Sequence, residues 1–111
     1  EDSIREITKA MLENHGYQVA TAVDGAEALA VYMSQKTEIK LVIMDMMMPV
    51  LDGPQTIRAL RRIDPKVKII AVSGLASNGK TGVVREGDVV ALLRKPYSAD
   101  LLLQEIAEAL R

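Results

Sequence analysis

Three polar residues stand where apolar runs stop: Asp45 after LVIM, Ser73 after IIAV and Lys95 after ALLR. Each run is of the kind that forms a strand covered on both faces. In open α/β sheets the reactive groups collect where strands end at their carboxyl edge. A carboxylate there can attack a phosphoryl group, a hydroxyl can bind a phosphoryl oxygen, and an ammonium can neutralise developing charge. Any one of the three could equally do no more than mark the end of its strand. All three together, with Lys95 followed by Pro96, favour a shared site.

The surrounding pattern supplies elements that would position them. Ile4, Ile7 and Met11 recur at helical spacing within residues 2–14, with Leu12 beside them and Gly16 as a stop. YQVATA, residues 17–22, predicts a short strand, and Asp24-Gly25 a turn. Ala26, Leu29, Ala30 and Met33 predict a second helix with Asp24 as its cap. After the strand at 41–44, a third helix should start near Pro54, whose missing N–H is not needed in a first turn. It should bury Ile57, Leu60 and Ile63 and end at Asp64-Pro65. VKIIAV (67–72) and VVALL (89–93) predict two more strands. Ser98 should cap a last helix with a stripe of Leu102, Ile106 and Ala109, flanked by Leu101, Leu103 and Leu110. Gly79, Gly82 and Gly87 dilute residues 75–88, which predict a short or mobile helix. Strands and helices alternating through short connections imply an α/β fold, a doubly wound parallel sheet with helices on both faces.

Composition narrows the chemistry. A chain of 111 residues is a single domain at most. Its 14 Lys and Arg against 15 Asp and Glu offer no bulk field to recruit nucleic acid or an acidic membrane, so a partner must be recognised locally. The absence of cysteine removes disulfides, thiolate catalysis and cysteine metal sites. His15, the one histidine, falls near the end of the first amphipathic stretch, where a helix-terminal surface role is favoured over ligation. No apolar run approaches the ~18 residues of a membrane span, and no signal-peptide pattern opens the chain, so a cytoplasmic location is expected.

The combined motif resembles that of response-regulator receiver domains. An apolar strand leads to Asp45, Pro49 comes four residues later, and Asp52-Gly53 is next. Ser73-Gly74 and Lys95-Pro96 then close the next two apolar runs. The resemblance covers essentially the whole chain and implies a flavodoxin/CheY-like fold. It implies that Asp45 is the phosphoacceptor of a phosphorelay, receiving its phosphoryl group from a phosphohistidine on a sensor histidine kinase or histidine phosphotransfer domain. Ser73 would bind a phosphoryl oxygen, Lys95 would pair with the new charge, and Asp45 with the Met47 backbone carbonyl would ligate Mg²⁺. Hard oxygen ligands of this kind suit that cation. Enzymatic activity would amount at most to self-catalysed phosphotransfer and slow autodephosphorylation. The run MDMMMPVLDGPQTIRALRRIDPKVKIIAVSGL further resembles receivers of hybrid sensor histidine kinases.

The chain departs from that family pattern in two places. Receivers open with an apolar strand ending in two metal-binding acids, whereas this chain begins EDSIREI, which resembles the segment after that acidic pair. Residues 1–111 are therefore expected to be a single, N-terminally truncated receiver, with YQVATA left unpaired from LVIM. Glu1 or Asp2 is the alternative source of an acid. Three residues before Lys95, where the family usually carries a switching aromatic, stands Leu92. Tyr97 lies nearby but reads as a packing residue.

Three other readings compete. GLASNGKT, residues 74–81, fits the G-x-x-x-x-G-K-[ST] phosphate loop, but TGVVREGD behind it is a poor helix and LVIMD precedes the loop. An Asp-x-Asp phosphatase would need a second carboxylate where Met47 stands. A degenerate receiver serving only as a docking module would lack phosphorylation, which the intact Asp45, Ser73 and Lys95 argue against.

Overall fold

The computed structural model describes residues 2–46, 53–73 and 89–111. Its elements in chain order are α1 (Asp2–Asn14), α2 (Gly25–Ser34), β1 (Val42–Asp45), α3 (Gly53–Ile63), β2 (Ile69–Ser73), β3 (Ala91–Arg94) and α4 (Ala99–Leu110). The three strands form one sheet of order β1-β2-β3. Both pairings are parallel, with Asp45 opposite Val72 and Ser73 opposite Arg94. Because the strands are parallel, all three end at the same carboxyl edge.

Strand alternation sorts the apolar residues into two layers. Met44, Met46, Ile69 and Ala71 pack with Tyr32 of α2 and Ile57 and Leu60 of α3. Ile70, Val72 and Leu93 pack on the other face with Leu12 of α1 and Leu102 and Ile106 of α4. The sheet is thus covered on both sides, which explains why β2 reads as an unbroken apolar run: Ile69, Ile70, Ala71 and Val72 are all buried. The doubly wound α/β expectation holds.

Local signals set most of the helix ends. The Asp24 carboxylate accepts from the Glu27 N–H at 2.9 Å, and the Ser98 hydroxyl accepts from the Leu101 N–H at 3.0 Å. These are the two caps expected from the sequence. Gly16, at φ 92°, lies past the end of α1 in the left-handed region that glycine tolerates. At the same terminus the exposed His15 Nδ1–H donates to the Met11 carbonyl at 2.9 Å, a helix-terminal role.

Three expectations are corrected. YQVATA forms no strand: residues 17–22 carry no ladder, although Tyr17 and Val19 still pack on the α1/α4 layer and alternate with exposed Gln18 and Ala20. A strand needs a neighbour to satisfy its backbone, and the described sheet runs only from β1 to β3. The apolar spacing on α1 does not mark a buried stripe, because Leu12 is buried while Ile4 and Ile7 are 54% and 69% exposed. On α2 the inward residues are Tyr32, Ala28 and Leu29, while Met33 is 65% exposed. The expected helix at 75–88, and GLASNGKT with it, lies outside the described residues.

Candidate functional site

β1 carries Asp45 to the carboxyl edge, and β2 brings Ser73 there one residue past Val72, the partner of Asp45. Beyond the strands proper, hydrogen bonding continues. The Met46 N–H donates to the Val72 carbonyl at 2.8 Å, and the Lys95 N–H donates to the Ser73 carbonyl at 2.7 Å. The last two carbonyls of β2 therefore fix the backbone beside both Asp45 and Lys95. From that anchored position Lys95 Nζ reaches Asp45 Oδ2 at 3.0 Å.

Two of the three predicted side chains are thus in direct contact, and the third ends the strand between them. The pair stays open to water, with side-chain exposures of 40% for Lys95 and 42% for Asp45. A half-exposed ion pair contributes at most about 1 kcal/mol to stability. Its placement therefore matters for access more than for folding. A carboxylate that is fixed, ionic and solvent-reachable can meet an incoming phosphoryl group, and the adjacent ammonium can take up the added charge.

For Mg²⁺ the donor chemistry is compatible. Mg²⁺ typically keeps several waters and takes one or two carboxylates together with phosphate oxygens. Asp45 supplies one accessible hard oxygen ligand. Among the described residues no group of three or more His, Cys, Asp or Glu could hold a metal by itself. Met47 and Glu1, the other expected ligands, lie outside the described residues. Leu92, standing where the family carries an aromatic, is 49% exposed, while Tyr97 packs against the α1/α4 layer as a packing residue should.

A second carboxylate offers a contrast at the opposite edge of the sheet. Asp64 accepts from the Tyr32 hydroxyl at 2.8 Å and from the Lys66 N–H at 3.0 Å. The Lys66 N–H, then the Tyr32 hydroxyl, hold its carboxyl below the usual range. Burial first, then the hydrogen bond to Asp64 and its charge, push the Tyr32 hydroxyl up to about 12. This contact ties α2 to the end of α3. Sequence reasoning misses it, because nothing in the neighbourhood of either residue, 32 positions apart, points to the other.

Comparisons with known proteins agree on one family. The family model described as response regulator receiver domain matches residues 1–107. The sensor kinase CckA of Brucella abortus is 34% identical over 110 residues, covering 99% of this chain but only 12% of that kinase. Among solved structures, a response regulator receiver domain protein from Clostridium thermocellum superposes with a TM-score of 0.92 at 30% identity, covering 99% of this chain and 87% of the other. The response regulator TrrA of Thermotoga maritima, solved in complex with Mg²⁺-BeF, gives a TM-score of 0.84 at 26% identity, with 98% and 91% covered. No helix among the described residues is long and apolar enough to cross a membrane.

Proposed function

Given that the chain belongs to the response regulator receiver domain family and is a phosphoacceptor signalling domain of two-component type, we propose that Asp45 is the residue that accepts the phosphoryl group. The observation that carries the assignment is the 3.0 Å contact between Lys95 Nζ and an accessible Asp45 carboxylate at the end of a buried strand. In the reaction an Asp45 carboxylate oxygen attacks the phosphorus of a phosphohistidine. The P–N bond breaks, its electron pair returns to the imidazole nitrogen, and an acyl phosphate forms on Asp45.

Lys95 offsets the added negative charge, and the Ser73 hydroxyl, carried to the same edge by β2, takes the role of phosphoryl-oxygen ligand. Asp45 and the Met47 backbone carbonyl would hold Mg²⁺, with Glu1 as a further acid. When bound, Mg²⁺ neutralises charge on the phosphoryl oxygens. Phosphorylation replaces one negative charge by roughly two, and signalling results to the extent that this favours one packed state over another. The donor is a sensor histidine kinase or a histidine phosphotransfer domain, in the cytoplasm, and the similarity to CckA favours a receiver that works within a kinase. Residues 1–111 act as one receiver unit.

Asp45→Asn tests the assignment. Labelling by acetyl phosphate with Mg²⁺ should disappear while the unfolding midpoint changes little. Retained labelling in that variant would refute Asp45 as the nucleophile.

A further inference from the structure

Asp45 lies between two methionines that the sheet turns to the opposite face. Met44 and Met46 are 1% and 2% exposed, and both belong to the layer formed with Ile57, Leu60, Ile69 and Ala71. Ile43, two residues before Asp45, belongs to the other layer. The alternation of a strand therefore directs Asp45 away from the methionine side. Regular pairing stops at Asp45, yet the chain beyond it is still held. The Met46 N–H donates to the Val72 carbonyl at 2.8 Å, and the Met46 side chain is locked into the core.

We propose that Met46 is a positioning residue for Asp45: its buried side chain and its hydrogen bond to Val72 hold the strand end in the register that sets the carboxylate 3.0 Å from Lys95 Nζ. Without that anchor, the peptide after Asp45 is free to leave the ladder, and the carboxylate loses its fixed direction towards Lys95. The functional consequence rests on the reading of Asp45 as phosphoacceptor, whereas the positioning is a matter of geometry. Leu60 provides the natural control. It is 0% exposed in the same layer but lies on α3, not on the backbone next to Asp45.

The test uses Met46→Ala, Met46→Leu and Leu60→Ala, each at a temperature where it is folded. Two quantities are read: the kinetics of labelling by acetyl phosphate with Mg²⁺, and the side-chain carboxyl carbon resonance of Asp45 by NMR. Because small misplacements of a reacting group are costly, Met46→Ala should lower the maximal labelling rate about tenfold with little change in the half-saturating acetyl phosphate concentration. The Asp45 resonance should shift or broaden in the same variant. Met46→Leu, which conserves volume, should restore both readouts. Leu60→Ala should lower the unfolding midpoint at least as much, yet leave the Asp45 resonance in place and the rate within about twofold. Should Met46→Ala fail to fold, Met46→Val carries the same comparison with a smaller deletion. An unchanged Asp45 resonance in the Met46 variant, or an equal change in Leu60→Ala, overturns the proposal. If the wild-type chain labels elsewhere than on Asp45, the phosphoacceptor reading fails, while the resonance still decides the positioning.

Discussion

The two edges of the sheet each hold a carboxylate with specific partners, and they use them differently. At the carboxyl edge Asp45 meets a flexible ammonium and keeps 42% of its side chain exposed. At the amino edge Asp64 is engaged by a tyrosine hydroxyl and a backbone N–H, which hold α2 against the end of α3. An ammonium on a four-carbon stem can move aside for, or with, an incoming group, whereas a hydroxyl on a buried ring cannot. Solvent access is thus kept where strands end in water, and rigidity where helices must be tied together.

Variants at the two edges should separate in what they change. After the loss of labelling in Asp45→Asn, the largest effect is expected for Lys95→Ala. Removing one preorganised charge from the reacting centre should slow labelling by acetyl phosphate about a hundredfold, with Mg²⁺ binding by the folded chain retained and an unfolding midpoint close to wild type. If labelling and signalling were both unchanged, Lys95 would be no more than a strand-end residue. At the amino edge Tyr32→Phe should do the opposite. It should cost about 1 kcal/mol in denaturant titrations and leave the labelling rate within about twofold. A stable but unreactive Tyr32→Phe protein would erase the distinction between the edges.

The amino edge should also set the pH response. Asp64 has a depressed pKa, so its contribution is present above its ordinary value of 3.8 and is lost as pH falls through the folded-state value. Tyr32 has a raised pKa, so its contribution is present below 10.0 and declines as pH rises towards about 12. The stability difference between wild type and Tyr32→Phe should therefore shrink at both extremes, measured by thermal unfolding across pH. A constant difference would show that the Tyr32–Asp64 contact is not coupled to titration. The smallest effect concerns salt. Screening the exposed Asp45–Lys95 pair should change stability by less than about 1 kcal/mol between low and roughly 1 M salt.

The meeting of side chains at the carboxyl edge was legible in the sequence because parallel apolar runs on adjacent strands bring their last residues together. That is how Asp45 and Lys95, 50 residues apart, arrive at contact distance. Helix burial was less legible, as α3 and α1 show. Both carry apolar residues at helical spacing, yet Ile57 and Leu60 are 2% and 0% exposed while Ile4 and Ile7 are 54% and 69% exposed. Periodicity predicts a helix, but burial requires an apposed layer at the right height. α3 has β1 and α2 against it, whereas none of residues 4–11 of α1 is buried. The same reasoning accounts for YQVATA, whose alternation survives in the exposure of its residues although no ladder forms. Pairs such as Tyr32–Asp64 leave no local trace, since neither residue's neighbours announce the other.

The central claim is that the phosphoryl group enters at the carboxyl edge, on Asp45. Its most direct test is to treat the wild-type chain with acetyl phosphate and Mg²⁺, trap the acyl phosphate by reduction, and locate the modified residue by tandem mass spectrometry. A single modified site at Asp45 is expected; modification at Asp64, or at any residue other than Asp45, would contradict the claim.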